Sequence, residues 1–439
     1  DVTAISMLNV DDVSVTRSRF VGIRGGNGGA GDDGNNGQIG FPGSDAPLGS
    51  GLNGQQGQDG GDGFDGGNGG NGGDVVIVGL SSVDDAQISQ NIVDRPAAGI
   101  GGRGGNGGNG GRGGRGGDGG SNPINDGGDG ARGGRGGDGG RGGIGGSSGE
   151  MSVVQYVAFG FQQTGSTVVA HNTVYQMSSG QGGMAGAPGP RGIGGQGGDG
   201  GDGGIFGNDG SNGFPGNNGN DGQPGFAGFV TPSAAVRLDD VTFGGPGSGD
   251  ARIHNNIFSP SPVSSLLGTT IAIDGTPAFT CDARSNVFSG FDQLASGISP
   301  VGIGSVLTQP PLFENANASD FRPQIGSFLV DGGDNSVTPA GIEEDFFGNP
   351  RFMDEPSTPT TGPGGQFAVD FGAIERLGDT FGSDCLADVN GDGTVTPSDF
   401  TAWVIAFNTQ APGCDQNGDG LCTPSDFTAW VLNFNAGCQ

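Results

Sequence analysis

Short runs that alternate apolar and polar positions recur along the chain and predict β-strands. They fall in blocks near 1–24, 74–100, 150–179 and 229–260, with two runs in each block. The second runs share one layout: VSVTRSRFV (13–21), AQISQNIVD (86–94), TVVAHNTVY (167–175), DARIHNNIF (250–258) and, after a short connection, DARSNVFSGF (282–291). Because the blocks keep this layout while the segments between them vary, we predict coils of strands stacked into a parallel β-solenoid. A β-sandwich with decorated loops is the alternative.

Three inserts separate the first four blocks, at about 25–73, 101–149 and 180–228, and glycine recurs there at every third position. A three-residue period predicts an extended helix with three residues per turn. Proline is too scarce for collagen. We therefore predict polyglycine-II helices, in which each insert leaves the scaffold, turns at its middle and returns antiparallel. Three disordered loops are the alternative.

The triplet composition also predicts how the inserts pack. Each triplet position forms a stripe along such a helix, and a glycine stripe lets another backbone approach closely. The middle insert reads GGX, as in GGRGGNGGNGGRGGRGGDGG (101–120), and has two bare stripes, whereas the outer inserts are richer in GXY triplets with one. We expect the second insert to lie centrally, with arms of about 20 residues reaching about 60 Å.

Two matching segments close the chain: DVNGDGTVTPSDFTAWVIAFN (388–408) and DQNGDGLCTPSDFTAWVLNFN (415–435). Each begins D-x-N-x-D-G, a calcium-loop signature with oxygen ligands at positions 1, 3 and 5 and glycine at the sharp turn. Phe, Trp and Phe then recur at helical spacing, which predicts one helix after each loop and a shared aromatic core. Paired EF-hands would also need a helix before each loop, for which there is little room.

This duplicated pattern resembles a type I dockerin, over residues 385–439. The resemblance implies a small α-helical domain with two calcium ions. It implies these ligands: Asp388, Asn390, Asp392, the Thr394 carbonyl and Asp399 in loop one, and Asp415, Asn417, Asp419, the Leu421 carbonyl and Asp426 in loop two. Position 12 is Asp rather than the EF-hand Glu. Dockerins meet cohesins through loop positions 10 and 11, here Pro397, Ser398, Pro424 and Ser425.

Four cysteines cluster in the same tail: Cys385, Cys414, Cys422 and Cys438. We expect one or two disulfides and hence an oxidising compartment. A zinc site is the rival interpretation, although no CxxC pair or nearby histidine favours it. These cysteines are not typical of cellulosomal dockerins, so the partner is either a cohesin-like or another cell-surface protein.

The segments HNTVYQ and HNNIFS resemble coils of right-handed parallel β-helices of the pectin-lyase type, in which turn asparagines stack between coils. The order PPLFENANASDFRPQIGSFLVDGGDN, DFFGNPR and VDFGAIE, within 305–376, resembles the C-terminal end of a bacterial surface β-helix family of the choice-of-anchor type. These resemblances imply a mainly β fold, with residues 1–380 as one right-handed parallel β-helix. They also imply structural roles, in closing the last coils, for five polar residues: Asp331, Asp345, Arg351, Asp370 and Glu375.

Charge and composition narrow the function. The net charge is −30 and the chain has no lysine, which excludes the basic patches that nucleic acid and anionic membranes need. No apolar stretch is long enough to predict a membrane span. We expect a secreted, extracellular or cell-surface protein from which an upstream segment has been removed, since the chain opens directly on a strand.

Catalysis finds little support in the residues, although pectin-lyase-type folds host lyases and hydrolases. His171 and His254 stand in H-N pairs at one predicted coil corner. The best acidic cluster is three recurring pairs: Asp11 and Asp12, Asp84 and Asp85, and Asp239 and Asp240. We expect no catalytic residue and a non-catalytic adhesive or structural protein that displays glycine arms. The alternative is a polysaccharide lyase or glycoside hydrolase delivered to a complex by its dockerin. Ice binding is a third idea.

Overall fold

The computed structural model describes residues 1–158, 166–240, 249–262, 269–277, 279–355, 358–363, 365–376, 386–390, 394–417 and 421–436. Over these ranges the chain is mainly β, with parallel strands and two α-helices near the C-terminal end. No helix in these ranges combines the length and the apolar character that crossing a membrane requires.

The strands are β1 (Val2–Thr16), β2 (Arg19–Val21), β3 (Val75–Ser89), β4 (Ile92–Asp94), β5 (Met151–Ala158), β6 (Ser166–Ala170), β7 (Thr173–Met177), β8 (Ser233–Asp240), β9 (Gly249–His254), β10 (Ile257–Pro260), β11 (Thr270–Gly275), β12 (Phe279–Asp282), β13 (Val287–Phe288), β14 (Gln293–Ser296), β15 (Phe313–Asn315) and β16 (Asp320–Pro323). The helices are α1 (Pro397–Thr409) and α2 (Pro424–Ala436). Single 3-10 turns lie at Ile303–Ser305, Ala316–Ala318, Asn335–Val337, Gly365–Phe367 and Pro412–Cys414.

Successive blocks pair in parallel. β1 runs beside β3 from Val2 opposite Val75 to Thr16 opposite Ser89. The first part of β3 pairs with β5 and its last part pairs with β6. Each predicted run therefore pairs with the corresponding run of the next block. A second parallel sheet has the order β13-β10-β7-β4-β2. This pairing overturns the β-sandwich alternative, which requires antiparallel sheets.

One corner recurs in every block and is built from a left-handed residue followed by a buried amide. Five non-glycine residues there have φ between 46° and 60°: Arg17, Gln90, His171, Asn255 and Ser285. The next residue is Ser18 in the first block and asparagine in the others: Asn91, Asn172, Asn256 and Asn286. The Asn172 side-chain oxygen accepts the Asn91 backbone N–H at 3.0 Å, and the Asn256 oxygen accepts that of Asn172 at 2.9 Å. The expected stacking of turn asparagines is confirmed, and it supplies partners for amides that are buried.

The segment that follows β14 covers one side of the second sheet. Ile92, Ile257 and Val287 of that sheet share one apolar cluster with Phe313 and Phe371 of the later segment. The stacked strands bury a separate and larger apolar core. The described residues of the 305–376 segment therefore pack onto the stacked strands and do not form a separate lobe.

Each glycine insert is a hydrogen-bonded hairpin of two extended runs, here the outward and the return run. The Gly73 N–H donates to Gly26 at 2.7 Å in the first insert, and equivalent bonds join Gly149 to Gly99 and Gly228 to Gly183 in the other two. The hairpins turn near 47–50, 121–126 and 205–207. The inserts are ordered segments of this structure, in contrast to the loop alternative.

The three hairpins join side by side into one six-run bundle, named the glycine bundle. Gly28 of the first insert donates to Ile100 of the second at 2.8 Å, and Gly101 of the second donates to Gln181 of the third at 2.8 Å. The return runs repeat this order, as Gly66 bonds Arg141 and Gly145 bonds Phe226. The second insert therefore lies between the other two, which confirms the placement predicted from its GGX triplets.

Close backbone approach, and not backbone φ, explains most glycines of the straight runs, with Gly26 and Gly29 as exceptions. A methyl group added at Gly28 would overlap the Gly70 carbonyl oxygen, and one added at Gly102 would overlap that of Gly29. The insert glycines with positive φ, namely Gly22, Gly49 and Gly51, stand at run ends or turns. The triplet period thus records which backbone faces touch a neighbouring run.

Candidate functional sites

The tandem tail folds into the two predicted helices, each capped by a threonine and an aspartate. Thr396 and Asp399 form a capping box at the start of α1. The Asp399 carboxylate also accepts the Asn390 backbone N–H at 3.1 Å, so it ties the preceding loop to the helix. Asp426 does the same in the second copy, where it accepts the Thr423 N–H at 2.8 Å and the Asn417 N–H at 3.2 Å.

Both capping carboxylates are fully buried. Burial by itself raises the pKa of Asp426, but the backbone N–H groups of Thr423, Gln416 and Asn417 outweigh it and bring the pKa below its usual range. Asp426 is therefore held as a carboxylate. Neither Asp399 nor Asp426 has an arginine partner among the residues that the structure describes.

The other predicted ligands lie along the same two loops. Asp388 and Asp415 are partly buried, while Asn390, Asn417, Thr394 and Leu421 are exposed. Asp392 and Asp419 lie outside the described residues. Over the described ranges no group of three or more His, Cys, Asp or Glu side chains could hold a metal ion. The predicted docking residues Pro397, Ser398, Pro424 and Ser425 are exposed at the two helix starts.

The helices share the predicted aromatic core. The ring of Phe400 lies 5.2 Å from that of Trp430, and the ring of Trp403 lies 5.6 Å from that of Phe427, so the two copies exchange equivalent contacts. Phe407 and Phe434 extend the core behind Trp403 and Trp430. These side chains are structural.

One disulfide joins Cys414 to Cys422. It closes the second loop, from the residue before position 1 to position 8. The first loop has Ala387 and Val395 at the equivalent positions, so this disulfide is specific to the second loop. Cys385 and Cys438 lie outside the described residues. Cys281 is free and buried.

The two histidines are buried, and they do not occupy one coil position. His171 is level with Asn255, because Ala170 pairs with His254. The extra asparagine in HNN shifts the second histidine by one residue, which corrects the prediction of a shared corner. Burial lowers the pKa of both histidines, and the guanidinium of Arg351 lowers that of His171 further.

The predicted acidic cluster is also corrected by the strand register. Asp12 pairs with Asp85, so the first two acidic pairs do stack. Asp239, however, lies opposite Val157, which lies opposite Ser81, three residues earlier along β3 than Asp84. The third pair is therefore displaced. Burial raises the pKa of Asp239, with Arg237 opposing it.

The five polar residues of the 305–376 segment form one buried network. Asp331, Asp345, Arg351, Asp370 and Glu375 are each at most 2% exposed. The Arg351 guanidinium lies 3.4 Å from Glu375 and donates to the Asp370 carbonyl at 3.0 Å. The Asp345 carboxylate accepts the Glu375 N–H at 3.0 Å and the Asn349 N–H at 2.8 Å. Their burial closes them to any substrate, which fits the structural role that the resemblance implies.

On the glycine bundle, Asn and Asp side chains accept hydrogen bonds from the backbone of neighbouring runs. The Asp33 carboxylate accepts the Asn106 N–H at 2.6 Å, and the Asp118 carboxylate accepts the Asp199 N–H at 2.8 Å. Asp62 and Asp138 continue the pattern on the opposite face. The abundant Asn and Asp of the inserts thus complete the hydrogen bonds of N–H groups that no carbonyl reaches. Their third place in the triplet is visible in the sequence, but that position alone does not predict this role.

No known protein family matches this chain, and no curated protein matches it. Among solved structures, it is similar to a springtail antifreeze protein from Granisotoma rainieri, described as a nine polyproline type II helical bundle whose crystal waters match the ice lattice. The identity is 22%, the match covers 45% of this chain and 94% of that chain, and the TM-score is 0.06. A TM-score this low supports no conclusion about fold or function.

Proposed function

We propose that this chain is a non-catalytic, secreted display protein whose parallel β scaffold is a right-handed β-helix. The observation that carries the proposal is the continuous hydrogen bonding between all three inserts, which makes six glycine runs one body. Extended backbone with a three-residue repeat and lateral hydrogen bonds is the geometry of polyglycine II. A rod of this kind holds a surface away from its scaffold, which suits adhesion.

Hydrogen exchange tests the display proposal on the intact chain. We expect slow exchange of the donating glycine amides, such as Gly102, Gly105 and Gly108, because each is bonded to a neighbouring run. Exchange at the rate of an unstructured peptide over all three inserts would sink the proposal. Turnover of any member of a polysaccharide panel, with and without calcium, would replace it with the lyase or hydrolase alternative.

We further propose that the C-terminal helices form a dockerin-like, calcium-dependent attachment module for a cohesin-like or other cell-surface partner. The donor set suits calcium, because each loop brings carboxylate, amide and carbonyl oxygens and no nitrogen or sulfur donor. The two buried capping carboxylates support the proposal, since loop N–H groups hold each of them in place beside its loop. Pro397 and Pro424 with their following serines offer two equivalent docking surfaces.

Calorimetric titration of CaCl2 into the full chain is expected to show two bound calcium ions. Asp399→Asn and Asp426→Asn should each remove about one ion, because an amide lacks the charge that a calcium ligand provides at this position. Asp209→Asn, an acidic loss on the glycine bundle, is the matched control and should leave both ions. Binding of no ion by the wild-type chain, or equal losses in all three variants, would rule out the assigned loops.

A further inference from the structure

The glycine inserts carry the same reactive dipeptide, Asn-Gly, at nine places. Glycine has no side chain to shield its backbone nitrogen, so this nitrogen can attack the side-chain amide of the preceding asparagine. The nitrogen forms a bond to Cγ and ammonia leaves, and water then opens the cyclic imide at either carbonyl to give aspartate or isoaspartate. The nine steps begin at Asn27, Asn36, Asn53, Asn68, Asn71, Asn106, Asn109, Asn212 and Asn218.

In the glycine bundle, the attacking nitrogen of every one of these steps is held in a hydrogen bond. Gly28 donates to the Ile100 carbonyl oxygen at 2.8 Å. Gly107 donates to the Ala187 carbonyl oxygen at the same distance. The other glycines of these steps donate to a neighbouring run in the same way: Gly37, Gly54, Gly69, Gly72, Gly110, Gly213 and Gly219. The reaction therefore requires local opening of the bundle.

Eight of the nine asparagine side chains are held as well, because Oδ1 accepts a backbone N–H from a neighbouring run. Asn36 accepts the Asn109 N–H at 2.8 Å, and Asn106 accepts the Ala187 N–H at 3.1 Å. Each of these side chains must give up its bond before Cγ can turn toward the glycine nitrogen. The same bond, at 2.7 to 3.1 Å, holds Asn27, Asn53, Asn68, Asn71, Asn212 and Asn218.

Asn109 is the exception, because the residue opposite it is a proline. Gly110 donates to the Pro190 carbonyl oxygen at 2.9 Å, as Gly107 does to that of Ala187, so Pro190 lies opposite Asn109 as Ala187 lies opposite Asn106. Proline has no backbone N–H and cannot supply the bond that Ala187 supplies. Asn109 is also exposed. One of the two restraints is therefore missing at this step alone.

We propose that Asn109 is the site of spontaneous deamidation in the glycine bundle, and that paired hydrogen bonds protect the other eight Asn-Gly steps. The product carries a new negative charge on the exposed face of the second insert. Its isoaspartate form also adds one methylene to the backbone, which interrupts the three-residue period of the central insert. The inference goes beyond the proposed display function but rests on the same hydrogen-bonded bundle, and it assigns Asn109 as the residue that limits the chemical lifetime of that bundle.

Incubation of the full chain at mildly alkaline pH, followed by peptide mapping that separates aspartate from isoaspartate, tests the inference. Asn106 is a built-in control, because both asparagines stand in the same local sequence, Gly-Asn-Gly-Gly. In the folded chain we expect Asn109 to deamidate about fivefold faster than Asn106, the factor that one net hydrogen bond represents. In guanidinium chloride the two rates should be equal, and both should exceed the folded rates.

Exchanging the opposing residues should exchange the two rates. Pro190→Ala supplies the missing N–H and should slow Asn109 to the rate of Asn106, whereas Ala187→Pro should make Asn106 as fast as Asn109. Pro188→Ala is the matched control. It makes the same change in the same run, but the equivalent N–H of Arg191 faces Asp221 of the return run, at 3.1 Å from its carboxylate, so the rate at Asn109 should stay unchanged.

Equal rates at Asn106 and Asn109 in the folded wild-type chain would overturn the inference, and so would a rate at Asn109 that Pro190→Ala leaves unchanged. Both comparisons decide the matter even where Ala187→Pro fails to fold. Hydrogen exchange on the same samples separates this inference from the display function. Protected glycine amides with equal rates would defeat the inference alone. Unprotected amides, with all nine steps reacting as in guanidinium chloride, would defeat the display function too.

Discussion

Gly28→Ala is expected to destabilise the glycine bundle by about 3 kcal/mol or more, while Gly29→Ala next to it is expected to stabilise it slightly. A methyl group at Gly28 would overlap the Gly70 carbonyl oxygen and approach the Gly102 nitrogen, both of them backbone that cannot turn aside. A methyl group at Gly29 would have nothing within 4 Å. The two variants carry the same Gly→Ala substitution at adjacent positions, so their amino-acid compositions are identical.

The measurement is hydrogen exchange of the hairpin amides together with the urea midpoint of the whole chain. In Gly28→Ala the Gly67, Gly70 and Gly73 amides, which bond back to the outward run, should lose protection. In Gly29→Ala they should keep it, and the lower entropy of the unfolded chain should stabilise the fold by up to about 1 kcal/mol. Equal effects of the two changes would mean that the runs are not in close backbone contact.

The glycine period was informative because it encodes a contact. In a three-residue repeat a continuous glycine stripe marks a face where another backbone can lie. The GGX triplets therefore predicted that the second insert lies between the others, and the hydrogen bonds of Gly28 and Gly101 confirm it. The tandem tail was similarly readable, because Phe400, Trp403 and their copies repeat at helical spacing and pack together.

Strand register was not readable from similar motifs. One additional residue, Asn255, moves His254 out of the position of His171, and the third acidic pair ends up level with Ser81. Pairing depends on where each strand begins, which the inserts alter. The position of the third hairpin turn was missed for a different reason: Ile205 and Phe206 lie inside an unbroken glycine period, which hides the turn.

The buried network around Arg351 predicts the second large effect, a loss of scaffold stability as the pH rises. Burial raises the pKa of Asp370 to about 7 and that of Asp331 to about 6, and burial together with Asp370 raises that of Glu375 well above its usual range. In the unfolded chain these carboxyls ionise near pH 4. The folded state holds more protons above that pH, so the free energy of unfolding falls as the pH rises from about 4 to about 7.

Other groups contribute with the opposite sign and must be subtracted. Burial and Arg351 lower the pKa of His171, so its contribution is present above its usual pKa of 6.5 and is lost as the pH falls. The pKa of Asp320 is lowered, first by its hydrogen bonds with Arg322, so its contribution is lost only in acid. A difference between variants isolates the network from both.

Asp370→Asn provides that difference, since it keeps the size of the side chain and removes its titration. We expect the variant to be less sensitive to pH between about 4 and 7, and to gain on the order of a few kcal/mol relative to the wild type as the pH rises through that window. Urea unfolding followed by far-UV circular dichroism at several pH values, at fixed calcium, measures it. Asp320→Asn, a surface carboxyl paired with Arg322, is the control and should keep the wild-type slope over this range. A slope that Asp370→Asn leaves unchanged would show that the carboxyl is already ionised in the fold, with Arg351 compensating its burial.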